Sequence, residues 1–476
     1  MPETGKLDVG DGLHYASIDQ VGALLRSQQI TPVELTQYML DRVRALDPEL
    51  HAYASVLPEQ AMASARELAA ELVRGEDRGP LHGIPVAVKD LCDVQGVEVL
   101  AGLSVRKGRV AEQDATVVAR LKDAGAIILG TLNLTEGAFI GYHEDFAIPQ
   151  NPWGKNLWPG VSSSGSGVAV AAGLCFAAIG TDTGGSIRYP SMANGVVGLK
   201  PTYGRVSRHG VWPLAQTMDH IGPMTRCVAD ASIVLQAIAG ADPHDGTSLS
   251  QTPPERVSLH DSNLEGVVIG YDASYVQTEP ESKVIAAIER SLAGLKAAGA
   301  EVKAIEVPPV PDGIQSIWAL LCASEAAEAH AEFFPARADG YGKAFGEFLA
   351  LSEFISGEQL EECARVREQI ASDWTAAFEG LDALVCPVGG HAVQLHNSQY
   401  EGIESLGVNM APLKPEFVIP ASFSGLPTLT MPCSPSEEGP PYALQLYGRA
   451  SGERALCRIG LALEAIAGCH SEHPLP

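Results

Sequence analysis

An α/β architecture follows from three features of the chain: a single large domain, its mixed central sheet covered by helices on both faces. From about residue 84 onward, short apolar runs alternate with segments of helical period, the pattern of strands wrapped by helices. With 476 residues and 46% hydrophobic content the chain can bury a large core. No Pro/Gly/Ser-rich linker and no internal repeat divides it, because its 49 glycines fall between elements throughout. Residues 1–476 therefore read as one domain rather than as three of roughly 150 residues.

The N-terminal helices are expected over about 17–75. Ser17-Ile-Asp-Gln20 and Thr31-Pro-Val-Glu34 have capping-box spacing, and Pro32 takes the favoured first helical position. Val33, Leu35, Tyr38, Met39, Val43 and Leu46 then recur at helical spacing, which predicts one buried face. A further helix is predicted over 59–73. Ile84-Pro-Val-Ala-Val-Lys-Asp90 reads as a short buried strand ending in charge.

The alternation continues with helix 116–124 and strand 126–129, then helix 166–174 and strand 176–179. Strand 196–199 and helix 228–239 follow. Strand 267–271, helix 281–298 and strand 302–305 repeat the pattern. Strand 381–387 and a closing helix over 453–466 complete the chain. The stretch over about 314–380 is mostly of helical period and predicts a cap over the sheet.

Charge excludes some partners. The 32 Lys+Arg against 58 Asp+Glu leave a net charge of −26, which argues against nucleic acid and against anionic membrane surfaces. The N-terminal run MPETGKLDVGDGLHY has no apolar signal core, and the longest apolar stretch, 168–179, is too short and glycine-broken to span a bilayer. The nine cysteines contain no C-x-x-C pair and fit reduced core thiols. A cytoplasmic protein, a homodimer, is expected, with no membrane partner. His470-Ser-Glu-His473 lies in a Pro-ended tail and no H-E-x-x-H occurs, so no metal and no cofactor is expected.

Two serine–glycine runs carry the functional signal: Pro159-Gly-Val-Ser-Ser-Ser-Gly-Ser-Gly167 and Gly180-Thr-Asp-Thr-Gly-Gly-Ser-Ile-Arg-Tyr-Pro190. Glycines and small hydroxyl residues let a backbone approach a ligand closely and aim its N–H groups at it. A flexible linker would be solvated and repetitive, whereas these runs are wedged between apolar segments. A phosphate cradle would need G-x-x-x-x-G-K-[ST], which is missing, and no G-x-S-x-G elbow surrounds any of these serines. His143, His209 and His220 flank the region, and their spacing singles out none of them as a base.

Together with Lys89 in Gly83-Ile-Pro-Val-Ala-Val-Lys-Asp90, the two runs resemble the amidase signature family. The resemblance extends through Asp114-Ala-Thr-Val-Val, Asn151-Pro-Trp153, Gly198-Leu-Lys-Pro-Thr-Tyr-Gly-Arg-Val-Ser207, Asp219-His-Ile-Gly-Pro-Met-Thr225 and Gly425-Leu-Pro-Thr-Leu-Thr-Met-Pro432. About two thirds of the chain is covered, and the helical stretch after Ala323 is the least similar part. The resemblance implies the family's fold and a Ser–Ser–Lys triad: nucleophile Ser186, bridging Ser162 and base Lys89. Val161 and Ser164 stand where the family usually has glycine. Because Ser162, Ser163 and Ser164 are consecutive, a register slip would make Ser163 the bridge; the 24-residue separation from Ser186 favours Ser162. The family's bridging serine sits on a cis peptide bond. Asp182 and Arg188 are implied to hold the nucleophile loop.

The chemistry needs these residue types. A serine hydroxyl is a poor nucleophile without a base in reach. Lysine serves only when neutral, and lowering its pKa from ~10.4 to ~7 requires roughly 4 kcal/mol of disfavoured charge, which burial supplies in part. The tetrahedral oxyanion needs donors, and the backbone of Thr183, Gly184, Gly185 and Ser186 can offer them. The expected activity is hydrolysis of a small-molecule amide by water through an acyl-enzyme. The alternatives are the glutamine-hydrolysing component of an amidotransferase, working with partner chains, and an idle scaffold. The acyl pocket is expected from 133–146 and from the aromatics Trp318, Phe333, Phe334, Phe345 and Phe348, although such aromatics are more often core. If they line it, an aryl or hydrophobic amide is the expected substrate.

Overall fold

A computed structural model of the chain describes residues 12–277, 282–391, 413–469 and 472–475. Its first helices start where their caps dictate. Ser17 accepts from the Gln20 N–H while Gln20 accepts from the Ser17 N–H, opening helix Ile18–Arg26. Thr31 and Glu34 do the same for Pro32–Leu50, with Pro32 at its start. The N-terminal region is not helical throughout: a short strand, β1 (Tyr53–Val56), separates the second helix from the third, Pro58–Val73.

Ten further strands follow among the described residues: β2 (Pro85–Lys89), β3 (Ile127–Leu132), β4 (Ala177–Asp182), β5 (Val197–Lys200), β6 (His220–Thr225), β7 (Val268–Tyr271), β8 (Glu301–Ala304), β9 (Ala383–Cys386), β10 (Thr428–Ser434) and β11 (Tyr442–Gly448). They form one mixed sheet in the order β1-β3-β2-β4-β6-β5-β10-β11-β9-β7-β8. Its centre is buried on both faces, so β2, β3 and β4 read as unbroken apolar runs instead of alternating ones.

Register positions the site. β2 lies between β3 and β4 and runs parallel to both, pairing Val86 with Ile128 and with Ala177. The carboxyl ends of β2 and β4 therefore share one edge, which places Lys89 beside the residues that leave β4 at Asp182. Crevices at the carboxyl ends of parallel strands are the common place for ligands in such sheets. Helix Ser164–Ala171 starts at that edge, two residues earlier than its sequence pattern suggests, with Ser162 and Ser163 just before it. Three helices, Ile314–Ala329, Lys343–Leu351 and Gly357–Ala376, pack on one another and against Ile419–Ser424 to form the cap.

Candidate active site

Lys89 ends β2 and is fully buried. Its Nζ lies 2.6 Å from Ser162 Oγ, 3.0 Å from Ser163 Oγ and 2.8 Å from Thr181 Oγ1. Burial lowers its pKa to about 7, against the raising influence of Cys92 and of the Asp219 and Asp182 carboxylates. A neutral amine has two N–H donors and one lone pair, so with three hydroxyl neighbours one of them must donate to it. Ser163 Oγ donates to the Thr181 carbonyl at 3.1 Å and accepts from the Thr181 N–H at 3.2 Å. Its proton is thereby committed. Ser162 and Thr181 remain able to donate to Nζ, and Ser162 is the nearer. The Val161–Ser162 peptide bond is cis.

The second serine run leaves β4 as a tight turn. The Asp182 carboxylate accepts from the Gly185 N–H at 2.8 Å and from the Ile187 N–H at 3.0 Å, closing the turn from beneath. Gly185 has φ +116°, a conformation that suits glycine. Arg188 grips the same carboxylate at 2.7 and 3.0 Å, with both side chains fully buried. It also donates to Val418 O and Ser422 Oγ, so the pair's charges are hydrogen-bonded on all sides. Burial opposes ionisation of Asp182, yet the charge and hydrogen bonds of Arg188 hold its carboxyl well below the usual range.

This geometry corrects one expectation: the Gly185 N–H, expected among the oxyanion donors, is spent on Asp182. The amides of Gly184 and Ser186 donate to no protein group among the described residues. Thr183 is held by its hydroxyl, which donates to Asp219 Oδ1 at 2.6 Å, and by its carbonyl, which accepts from the Trp318 indole at 3.0 Å. Asp219 also accepts from the Leu214 and Ala215 amides, and burial raises its pKa to about 6.

Ser186 sits just after this turn. Its carbonyl accepts from the Ser163 N–H at 3.3 Å, stitching the two serine runs together. Its hydroxyl has no hydrogen-bond partner among the described residues, so the link from Ser186 to Ser162 is open here. Hydrogen bonds of this kind are often long without substrate and tighten when it binds.

Ser186 opens into an apolar pocket of about 60 Å³, walled by Phe139, Ile140, Val161, Tyr189, Trp318 and Ile419. The segment 133–146 does supply pocket wall, and so does Trp318. Phe345 and Phe348 are core: Phe348 stacks behind Phe139 at 3.7 Å. Phe333 packs near Trp212 instead. A polar cleft of about 340 Å³ adjoins the pocket, sharing Ala138 and Leu214 and reaching Thr181, Thr183 and Asp219.

The flanking histidines are placed elsewhere. His220 is buried against the carbonyls of Met218 and Asp182, with its pKa pushed well below normal by burial. His209 stacks on His244, and His143 accepts from the Asp145 N–H. His470 lies outside the described residues, while His473 stacks on Tyr15. The nine cysteines are free thiols. Among the described residues there is no His/Cys/Asp/Glu cluster fit for a metal, and no helix is long and apolar enough to cross a membrane. Thr181 and Asp219 are the site residues that motif reading misses. Asp219 does fall in a motif, but nothing in that motif points it at Thr183.

Comparison with known proteins follows the same lines. Residues 34–457 match the family model described as Amidase. AmiD of Mycobacterium tuberculosis, a protein that carries an amidase's name, is 36% identical over 472 residues, covering 98% of this chain and 97% of its own length. The GatA-type chain of the glutamyl-tRNA(Gln) amidotransferase of Roseiflexus sp. is 35% identical, covering 97% of this chain and 98% of its own. The peptide amidase of Stenotrophomonas maltophilia superposes with a TM-score of 0.78 at 30% identity, over 94% of this chain and 96% of that one. With the sheet, the serine runs and the buried lysine in their places, the chain belongs to the amidase signature family.

Proposed function

We propose that this amidase-family hydrolase cleaves small aryl or hydrophobic carboxamides through an acyl-enzyme on Ser186, with Ser162 and Lys89 as its proton relay. The observation that carries this reading is the 2.6 Å contact between Lys89 Nζ and Ser162 Oγ in a fully buried setting. At neutral pH an ordinary lysine is neutral in about one molecule per thousand, whereas one titrating near 7 is neutral about half the time.

The steps balance. Ser186 Oγ forms a bond to the carboxamide carbon while its proton passes to Ser162 Oγ, whose own proton passes to Lys89 Nζ. The carbonyl electron pair moves onto oxygen, facing the free amides of Gly184 and Ser186. Collapse breaks the C–N bond, and the proton returns through Ser162 to the leaving nitrogen. Water then attacks the ester by the same relay, releasing the acid and restoring Ser186. The acyl group occupies the apolar pocket. The leaving amine and the water use the polar cleft.

A second reading has a specific observation behind it, the 35% identity to the glutamyl-tRNA(Gln) amidotransferase chain. One experiment separates the two. The purified chain is given benzamide, hexanamide, amino-acid amides and glutamine, and ammonia release is followed in wild type and Ser186→Ala. The proposal predicts release from benzamide or hexanamide by the chain alone and none from Ser186→Ala. Activity on glutamine only, and only with partner chains, favours the amidotransferase. Full activity in Ser186→Ala removes the triad from both.

A further inference from the structure

The cap reaches the nucleophile turn through Trp318, on helix Ile314–Ala329. Its indole Nε1–H donates to the Thr183 carbonyl at 3.0 Å. The ring lies close enough to Gly184 that a Cβ there would sit 2.7 Å from Cε2 and Cζ2, so glycine is required for the contact. The same ring walls the pocket into which Ser186 opens. From the other side, the Thr183 hydroxyl is fixed by Asp219 at 2.6 Å.

The Thr183 carbonyl and the Gly184 N–H belong to one planar trans peptide and point in opposite directions. Fixing the oxygen on Trp318 therefore fixes where the Gly184 N–H points. That N–H has no protein acceptor among the described residues, and Gly184 lines the pocket beside Ser186. A hydrogen bond accepted by a carbonyl also polarises its amide and strengthens the N–H as a donor.

We propose that Trp318 is a positioning residue for oxyanion stabilisation, acting through the Thr183–Gly184 peptide, in addition to forming pocket wall. The assignment rests on the reading of Ser186 as nucleophile. It makes the cap part of the catalytic apparatus, because the donor is oriented only while helix Ile314–Ala329 is docked. A tryptophan that served as wall alone would affect how tightly the acyl group binds and leave the transition state untouched.

Trp318→Phe keeps an aromatic ring on Gly184 and removes the N–H. Losing an oxyanion donor outright costs ~10²–10³ in rate, and a donor left in place but unanchored is expected to cost about tenfold. The expected result with benzamide is a kcat about tenfold lower and a KM within about twofold. Phenylboronic acid, which forms a tetrahedral adduct on an active serine, should weaken as an inhibitor by the same factor, about tenfold. Trp318→Leu, a second donor-less variant, should lose at least as much kcat and also raise KM, and thermal melting checks that each variant folds. A kcat and a boronic acid affinity within about twofold of wild type in a folded variant overturn the proposal. A fluorophosphonate probe separates this failure from that of the underlying reading. Labelling of Ser186 in wild type with an unchanged Trp318→Phe removes Trp318 alone, whereas an unlabelled Ser186 brings down both.

Discussion

At Lys89 two influences oppose each other: burial, which lowers the pKa to about 7, and the Asp219 and Asp182 carboxylates, which favour the ammonium form. Only the neutral amine can take the Ser162 proton, so kcat/KM should rise with pH to a plateau with its midpoint near 7. The Thr181 hydroxyl, 2.8 Å from Nζ, steadies the ammonium form as an acceptor. Thr181→Val removes that acceptor and adds apolar surface; both effects disfavour the charge, so the rising limb should move to lower pH. A limb that moves to higher pH in a pH–rate profile contradicts this assignment. Lys89→Ala should nearly abolish turnover while the protein still folds. Lys89, Ser162 and Ser186 are legible in the sequence because each lies in a motif of fixed spacing. Spacing alone does not settle the choice between Ser162 and Ser163, since it turns on where the Ser163 proton goes, and the Thr181 carbonyl takes it. Thr181 and Asp219 stay hidden for the same reason: their roles depend on contacts across β4 and β6, which no local pattern encodes.

Among the elements, the turn after β4 is the one most exposed to a single change. Asp182 serves two backbone amides and Arg188 within a fully buried pocket. Arg188→Leu leaves that carboxylate without its cation and should cost about 3–5 kcal/mol, read as a lower urea midpoint with an unchanged m-value. An unchanged midpoint would show that the pair is dispensable. Helices with strong caps, such as those opened by Ser17 and Thr31, are readable to within a residue, because capping chemistry is local. β6 does not read as a strand because His220-Ile-Gly-Pro-Met-Thr225 has glycine and proline in its middle. It tolerates Pro223 in the sheet because β5 pairs only with Thr225 and Met224, so no ladder bond on that side needs the missing N–H. The β10–β11 hairpin is equally hard to read. It joins the two halves of the sheet through long-range pairings of Thr428 with Lys200 and Gln445 with Cys386, which are set by tertiary packing.

Across the whole molecule, the sheet supplies the relay and the cap supplies part of the wall around it. The central sheet with its helices is foreseeable from alternation alone, and the helical cap from the period of its residues. Which cap aromatic faces Ser186 is not foreseeable, because Trp318, Phe345 and Phe348 share one aromatic character and differ only in how three helices pack. The pocket of about 60 Å³ sets a size limit on the acyl group. Ile140→Ala enlarges it at a partly exposed position and should raise the ratio of kcat/KM for 2-naphthamide over benzamide by about tenfold, the scale on which apolar pockets discriminate. An unchanged ratio would place the acyl group elsewhere. The central claim is covalent catalysis by Ser186, and trapping tests it most directly. Wild-type protein is mixed with an activated aryl ester, quenched in acid within the first turnover, and its mass and peptide map recorded. One acyl group on the peptide that holds Ser186, lost on standing at neutral pH and missing in Ser186→Ala, is the predicted result. Turnover with no adduct, or with an adduct on a different residue, would contradict it.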